Sequence, residues 1–290
     1  MKARAFAPGH ITGFFAIFEH PEILETGSRG CGVVIDKGVH TEVALKDAEK
    51  NEVGVRVDDE ICECPVTKTV VEEVLKLAES TYAVEVSHRL DAPMKYGFGT
   101  SASGALSTGL ALNKALGLDL SLNQIGEIAH HSEVTNRTGL GDVIAECEGG
   151  VVIREREGAP GIGRVSKIPC GDYVVALLVG EELETKSVLN DAQKKEKINS
   201  IGEACLRMLL KTPTVENFLK LSKGFATETG MLEGEVKRTI GKLEERGIVS
   251  SMMMLGNSVF TITDVPEMVY EATEFKYVIA EIDYRGARLI

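Results

Sequence analysis

Hydrophobic and polar positions along the chain recur with two periods, and each change of period marks an element. Residues 31–45 (CGVVIDKGVHTEVAL) and 53–57 (VGVRV) are Val-rich with polar interruptions, which predicts strands. Pro65 opens a run in which Val70, Val71, Val74, Leu75 and Ala78 recur at helical spacing, so a helix with proline in its first turn is expected. Ala83-Val84-Glu85-Val86-Ser87 alternates like a strand and leads to a turn at Pro93. A glycine-rich loop at 97–104 precedes the apolar run ALSTGLALNKAL, which predicts a buried helix. Ser121-Leu122-Asn123-Gln124 has capping-box spacing, and helix is expected from there to Thr135. The chain then returns through Asp142 to a strand at Val151-Val152-Ile153.

The second half opens on a Gly/Pro-rich stretch, GAPGIGRVSKIPCGD at 158–172, which reads as a linker. A strand at 173–179, a mostly helical run over 190–247 and strands within 249–263 and 276–283 follow. Irregular alternation of strands and helices points to α+β rather than a doubly wound parallel sheet. At roughly 100–200 residues per domain, 290 residues fit two domains, placed at 1–157 and 158–290.

Composition narrows the class. Apolar residues make up 43% and charged residues 26%, enough for a substantial core. A net charge of −12 argues against a nucleic-acid binder, whose phosphate-contacting face is rich in Lys and Arg. It does not argue against anionic substrates, because backbone groups can hold phosphate on an acidic protein. The cysteines at 31, 62, 64, 147, 170 and 205 form no C-x-x-C pair, so reduced thiols rather than a zinc site are expected. The first nine residues contain no apolar signal region and no long uncharged apolar run exists, so the expected location is the cytoplasm, with no membrane partner.

The strongest chemical signal is Pro93-Met94-Lys95-Tyr96-Gly97-Phe98-Gly99-Thr100-Ser101-Ala102-Ser103-Gly104. Small residues ahead of a long helix allow close backbone approach and present free N–H groups at a positive helix end, a cradle for phosphate. Neither the dinucleotide fingerprint nor the P-loop fits: position 102 is not glycine, and Gly241-Lys242 is followed by Leu243. Asp142, between glycines and an apolar stretch, can accept a proton from a substrate hydroxyl, or can simply start a helix. Glu133 on the preceding helix offers a second carboxylate, for Mg²⁺. His130-His131 lacks the spacing of a zinc pair, leaving His131 as a single imidazole to reach a substrate carboxylate or hydroxyl.

These residues are similar to the GHMP kinases. Pro93-x3-Gly97-Phe98-Gly99-Thr100-Ser101-Ala102-Ser103 resembles their phosphate loop, Ala7-Pro8-Gly9 their first motif, and Gly139-x-Gly141-Asp142 followed by Gly149-Gly150 their catalytic segment. Within the superfamily, residues 7–15 and 254–260 look like the pantoate kinase branch, of archaeal type, which makes 4-phosphopantoate for coenzyme A. The resemblance implies a ribosomal-protein-S5-like N-terminal domain and a ferredoxin-like C-terminal domain, with ATP and Mg²⁺ as cofactors. It implies that Gly97, Gly99, Thr100, Ser101, Ala102 and Ser103 wrap the ATP phosphates. Ser101 and Glu133 would meet Mg²⁺, with Glu133 and Asp142 the catalytic carboxylates. For the pantoate carboxylate the candidates are Arg154 first, then Ser28 and Arg29 in a flexible loop, then His131. His10 stands where many relatives carry Lys or Arg and is placed with the substrate group, leaving a cationic partner for Asp142 open. Alternatives are another GHMP small-molecule kinase of mevalonate or homoserine type, or a winged-helix regulator suggested by GEVKRTIGKLEERGIV. A homodimer is a possible assembly.

Overall fold

The computed structural model describes residues 1–180 and 192–290. Two long antiparallel strands organise it, β1 (Lys2–Phe18) and β2 (Gly27–Asp47). The β1 stretch AFAPGHITGFFAIF shows no alternation because both of its faces are covered, which is why period two does not reveal it. Ala5 and Ala7 enter one core; Ile11, Phe14, Phe15 and Ile17 enter another. Register shifts between Pro8 and Gly9 and between Thr12 and Phe14 bend the strand at the change of core.

The first sheet runs β12-β1-β2-β5-β3-β4, where β3 is Glu52–Val57, β4 Glu60–Ile61, β5 Tyr82–Leu90 and β12 Arg288–Leu289. Its β3–β5 pair is parallel. β6 (Val151–Arg156) pairs with the N-terminal part of β2, and β5 pairs with its C-terminal part. Helices α1 (Pro65–Leu75), α2 (Thr100–Leu116) and α3 (Leu122–Asn136) share a core with this sheet. Pro65 stands in the first turn of α1, and Ser121 and Gln124 close a reciprocal capping box on α3. α2 is buried from Ala102 to Leu112, as its apolar sequence requires.

The second sheet is antiparallel, in the order β11-β8-β10-β9, with β8 at Tyr173–Leu178, β9 at Ser251–Met252, β10 at Ser258–Thr263 and β11 at Lys276–Glu281. The helical run resolves into α5 (Ala192–Lys211), α6 (Val215–Thr229) and α7 (Gly234–Glu245); residues 190 and 191 of the expected run lie outside the described residues. Phe14 and Phe15 of β1 meet Phe225 of α6, so the second core is closed by the first strand of the chain. The architecture is the expected α+β one.

Two expectations are corrected, and one alternative is set aside. The stretch 158–172 is no free linker. Gly158 and Gly161 take positive φ angles of 117° and 87°, turning the chain so that β7 (Arg164–Ile168) pairs with β6 in the first sheet. Cys62 and Cys64 are not free thiols but are joined in a disulfide. The segment with winged-helix character buries Val236, Ile240 and Leu243 in the core, and its strands β9 and β10 belong to the second sheet. No helix of the described residues is long and apolar enough to cross a membrane.

Candidate active site

A cleft of about 570 Å³ gathers the phosphate loop, the 138–142 loop, the near ends of β1, β2 and β6, and Met254 and Leu255. That volume suits a small-molecule site. At its centre lies the N-terminus of α2. Gly99 precedes the helix at φ 67°, a conformation glycine adopts without a steric penalty. A Cβ there would stand 2.8 Å from Glu146 Oε1, so the position excludes side chains twice over. The His10 N–H donates to the Phe98 carbonyl at 2.9 Å and ties the loop to β1. Among the described residues no side chain caps α2, and its first turn holds no acidic residue. The amides of Thr100, Ser101 and Ala102 therefore stand at a positive helix end without an intrahelical acceptor.

Asp142 is the first residue of α4 (Asp142–Glu148), with Gly141 as N-cap. Its carboxylate does not cap that helix; Oδ1 lies 2.6 Å from His10 Nδ1. On the other side of the imidazole, Arg154 Nη1 is 3.3 Å from His10 Nε2. A guanidinium can only donate, so Nε2 accepts and Nδ1 carries the proton given to Asp142. His10 is fully buried, and burial holds it neutral by lowering its pKa against the pull of Asp142, with Arg154 adding to the lowering. For Asp142, burial alone would raise the pKa, but the hydrogen bond from His10 and the nearby Arg154 charge outweigh it and keep the group ionised. The row reads carboxylate, neutral imidazole, guanidinium. Gly32 makes room for it, since a Cβ there would lie 2.2 Å from His10 Nε2.

Glu133, buried on α3, faces this row. Ser101 donates to its Oε1 at 2.5 Å and Thr138 at 2.8 Å. Burial pushes its pKa to about 7 despite those donors, with the Asp142 charge adding to the rise. Behind Gly99, Glu146 is fully buried and raised well above the usual carboxylate range by burial and by the charges of Asp142 and Glu133. The far end of the cleft is largely apolar, with Val57, Cys62, Cys64, Pro65, Leu90 and Met94 beside Thr67 and His88.

Most residues chosen from the sequence converge here: Gly97, Gly99, Thr100, Ser101, Glu133, Asp142, Ser28 and Arg154 all line the cleft. Others do not. Ser103 is fully buried and donates to the Pro8 carbonyl at 2.9 Å, because two residues along a helix turn it about 200° away from Ser101. Ala102 is buried too and does not line the cleft. His10 lies behind Asp142, away from the cleft, and supplies the partner left open by the sequence. Ser28 and Arg29 lie in β2, not in a flexible loop, so they point to opposite faces. Ser28 faces the cleft, while Arg29 pairs with Glu157 at 2.6 Å and covers the Phe18 ring. His131 lies outside the cleft for the same helical reason, two residues from Glu133; its neighbour His130 bonds the Thr26 carbonyl. Sequence reasoning missed Thr12, Phe15, Lys95 and Thr138, which line the cleft. Lys95 and Thr138 adjoin recognised motifs and were open to discovery; Thr12 and Phe15 come from an unrecognised strand.

Comparison with known proteins shows the family. Residues 66–150 match the family described as the GHMP kinases N terminal domain. The chain is 36% identical over 270 residues to a pantoate kinase of Thermococcus kodakarensis, covering 90% of this chain and 88% of that one. It is 38% identical over 260 residues to a pantoate kinase of Methanocaldococcus jannaschii, covering 89% and 92%. A solved structure titled as a phosphotransferase related to the CoA biosynthesis pathway superposes with a TM-score of 0.90 at 33% identity, covering 100% of this chain and 99% of the other.

Proposed function

This chain belongs to the pantoate kinases within the GHMP kinases, and from that premise we propose how its cleft phosphorylates pantoate. The enzyme transfers the γ-phosphoryl group of ATP to the 4-hydroxyl of pantoate, a step toward coenzyme A. One observation carries the assignment of parts: the ionised Asp142 and the uncapped end of α2 line the same cleft. The amides of Thr100, Ser101 and Ala102 hold the phosphates, with Gly97 and Gly99 giving close backbone approach. The nucleoside occupies the apolar end around Val57, Leu90 and Met94.

Asp142 accepts the hydrogen bond of the acceptor hydroxyl and orients it in line with the phosphorus. A carboxylate held at low pKa is a weak base, so it takes the proton late, after most of the bond to the leaving oxygen has broken. His10 fixes the carboxylate by its Nδ1–H, and Arg154 fixes His10. Arg154 Nε is buried with no hydrogen-bond partner among the described residues, and Arg154 and Ser28 both line the cleft, which suits them to the pantoate carboxylate.

The residues fit Mg²⁺ as well. Ser101 and Glu133 bring a hydroxyl and a carboxylate together at 2.5 Å, hard oxygen donors of the kind this ion takes beside nucleotide phosphates. When bound, the ion neutralises phosphate charge. Every group named comes from one chain, so a homodimer would not be needed to complete the site, and a cytoplasmic enzyme meets its ATP there. The test is ADP release with pantoate, mevalonate, homoserine and galactose offered separately. Release with pantoate alone is expected; release only with another acceptor would refute the reading.

A further inference from the structure

The acceptor end holds an apolar surface that phosphoryl transfer does not require. Phe15 of β1 pairs with Gly30 of β2, and Gly30 pairs with Arg154 of β6. The middle residue of this row has no side chain, and none is allowed. Gly30 takes φ 148°, and a Cβ would approach the Phe14 carbonyl oxygen to 2.1 Å. Adjacent strands lie about 4.8 Å apart, so the backbones of Phe15 and Arg154 stand roughly 10 Å apart across that gap, and both residues line the cleft. The Phe15 ring is fixed from behind by Phe225, with ring centroids 5.5 Å apart. Leu140 lines the same end, and its carbonyl is pinned by the Ser28 N–H at 3.0 Å. Phe15 and Arg154 thus stand on one face of the sheet, on either side of a glycine floor, and both reach the cleft that Asp142 lines.

We propose that Phe15, aided by Leu140, is the specificity wall of the acceptor site, selecting hydroxy acids with a methyl-bearing quaternary carbon between carboxylate and hydroxyl over unbranched analogues. This rests on the functional reading above and deepens it. A carboxylate directed to Arg154 and a hydroxyl directed to Asp142 turn the carbon between them toward Phe15. Methyl groups there displace water from an apolar face; an unbranched chain leaves that face wet.

The test compares kcat/KM for pantoate and for 2,4-dihydroxybutanoate, which lacks both methyl groups, in the wild type, Phe15→Leu and Leu140→Ala. Because each ratio is taken on one preparation, the fraction of folded enzyme cancels. The wild type is expected to prefer pantoate by about 10–200-fold, the range a hydrophobic pocket gives for small apolar groups. At least one variant should lower that preference about fivefold or more, chiefly through KM for pantoate, with KM for ATP unchanged. A wild type that treats both acids alike, or a ratio unmoved in both variants, would overturn the proposal while leaving the pantoate reading intact. A wild type that phosphorylates neither acid would overturn both.

Discussion

The two working ends of the cleft are built from different materials. The phosphate end is main chain: three amides, two glycines and the dipole of α2, all within residues 97–102. The acceptor end is side chain: Asp142, His10, Arg154 and Ser28 arrive from four separate elements and meet only when β1, β2 and β6 pair. Backbone sites tolerate water and need only shape. The acceptor end instead buries a guanidinium at 1% exposure, a state that must be paired and hydrogen-bonded to persist. Each end also holds a buried neutral histidine. His88 lies in a net of Thr41 and Thr67, whereas His10 is strung between opposite charges. In the proposed function one region cradles an anion and the other aligns one.

If the division holds, variants at one end leave the other unmoved. The largest effect is expected for Asp142→Asn, with turnover falling about 10²–10⁴-fold while MgATP affinity, read by calorimetry, stays within a few-fold. Loss of both together would erase the distinction between the ends. Next comes pH. His88 has a folded pKa of about 4, lowered by burial, against 6.5 unfolded. Above pH 6.5 it is neutral in both states. As pH falls from 6.5 to 4 the unfolded chain gains a proton that the native state refuses, so stability drops by about 3 kcal/mol. Denaturant melts across that window should show the slope, and His88→Gln should flatten it.

A smaller effect belongs to Arg154→Met. Losing a charge-assisted contact should raise KM for pantoate about 30–100-fold with KM for ATP unchanged. An unchanged pantoate KM would remove Arg154 from substrate binding. The smallest is Ser101→Ala, expected to weaken MgATP about tenfold in steady-state kinetics without touching pantoate. A shift in pantoate KM of similar size would show the ends to be coupled through Glu133.

The same contrast explains what could be read from the residues alone. Gly97 and Gly99 betray the phosphate loop because only glycine meets the backbone demands there, and such demands are local. The α+β class and most helices follow from periodicity for the same reason. Asp142 was legible through its flanking glycines. The role of His10 was not, since nothing in Ala7-Pro8-Gly9-His10 says that residue 142 will lie 2.6 Å away. Ser103, Arg29 and His131 were misplaced by one rule. Each stands one or two positions from a genuine cleft residue, and both helix and strand turn such neighbours to another face. β1 escaped because burial on both faces erased its pattern.

The most direct test of the account is amide hydrogen exchange with a non-hydrolysable ATP analogue and Mg²⁺, then with pantoate added. The nucleotide should protect the amides of residues 99–103 while leaving 139–143 unchanged until pantoate arrives. Protection absent at 99–103, or appearing first at 139–143, would contradict the claim that the free end of α2 holds the triphosphate.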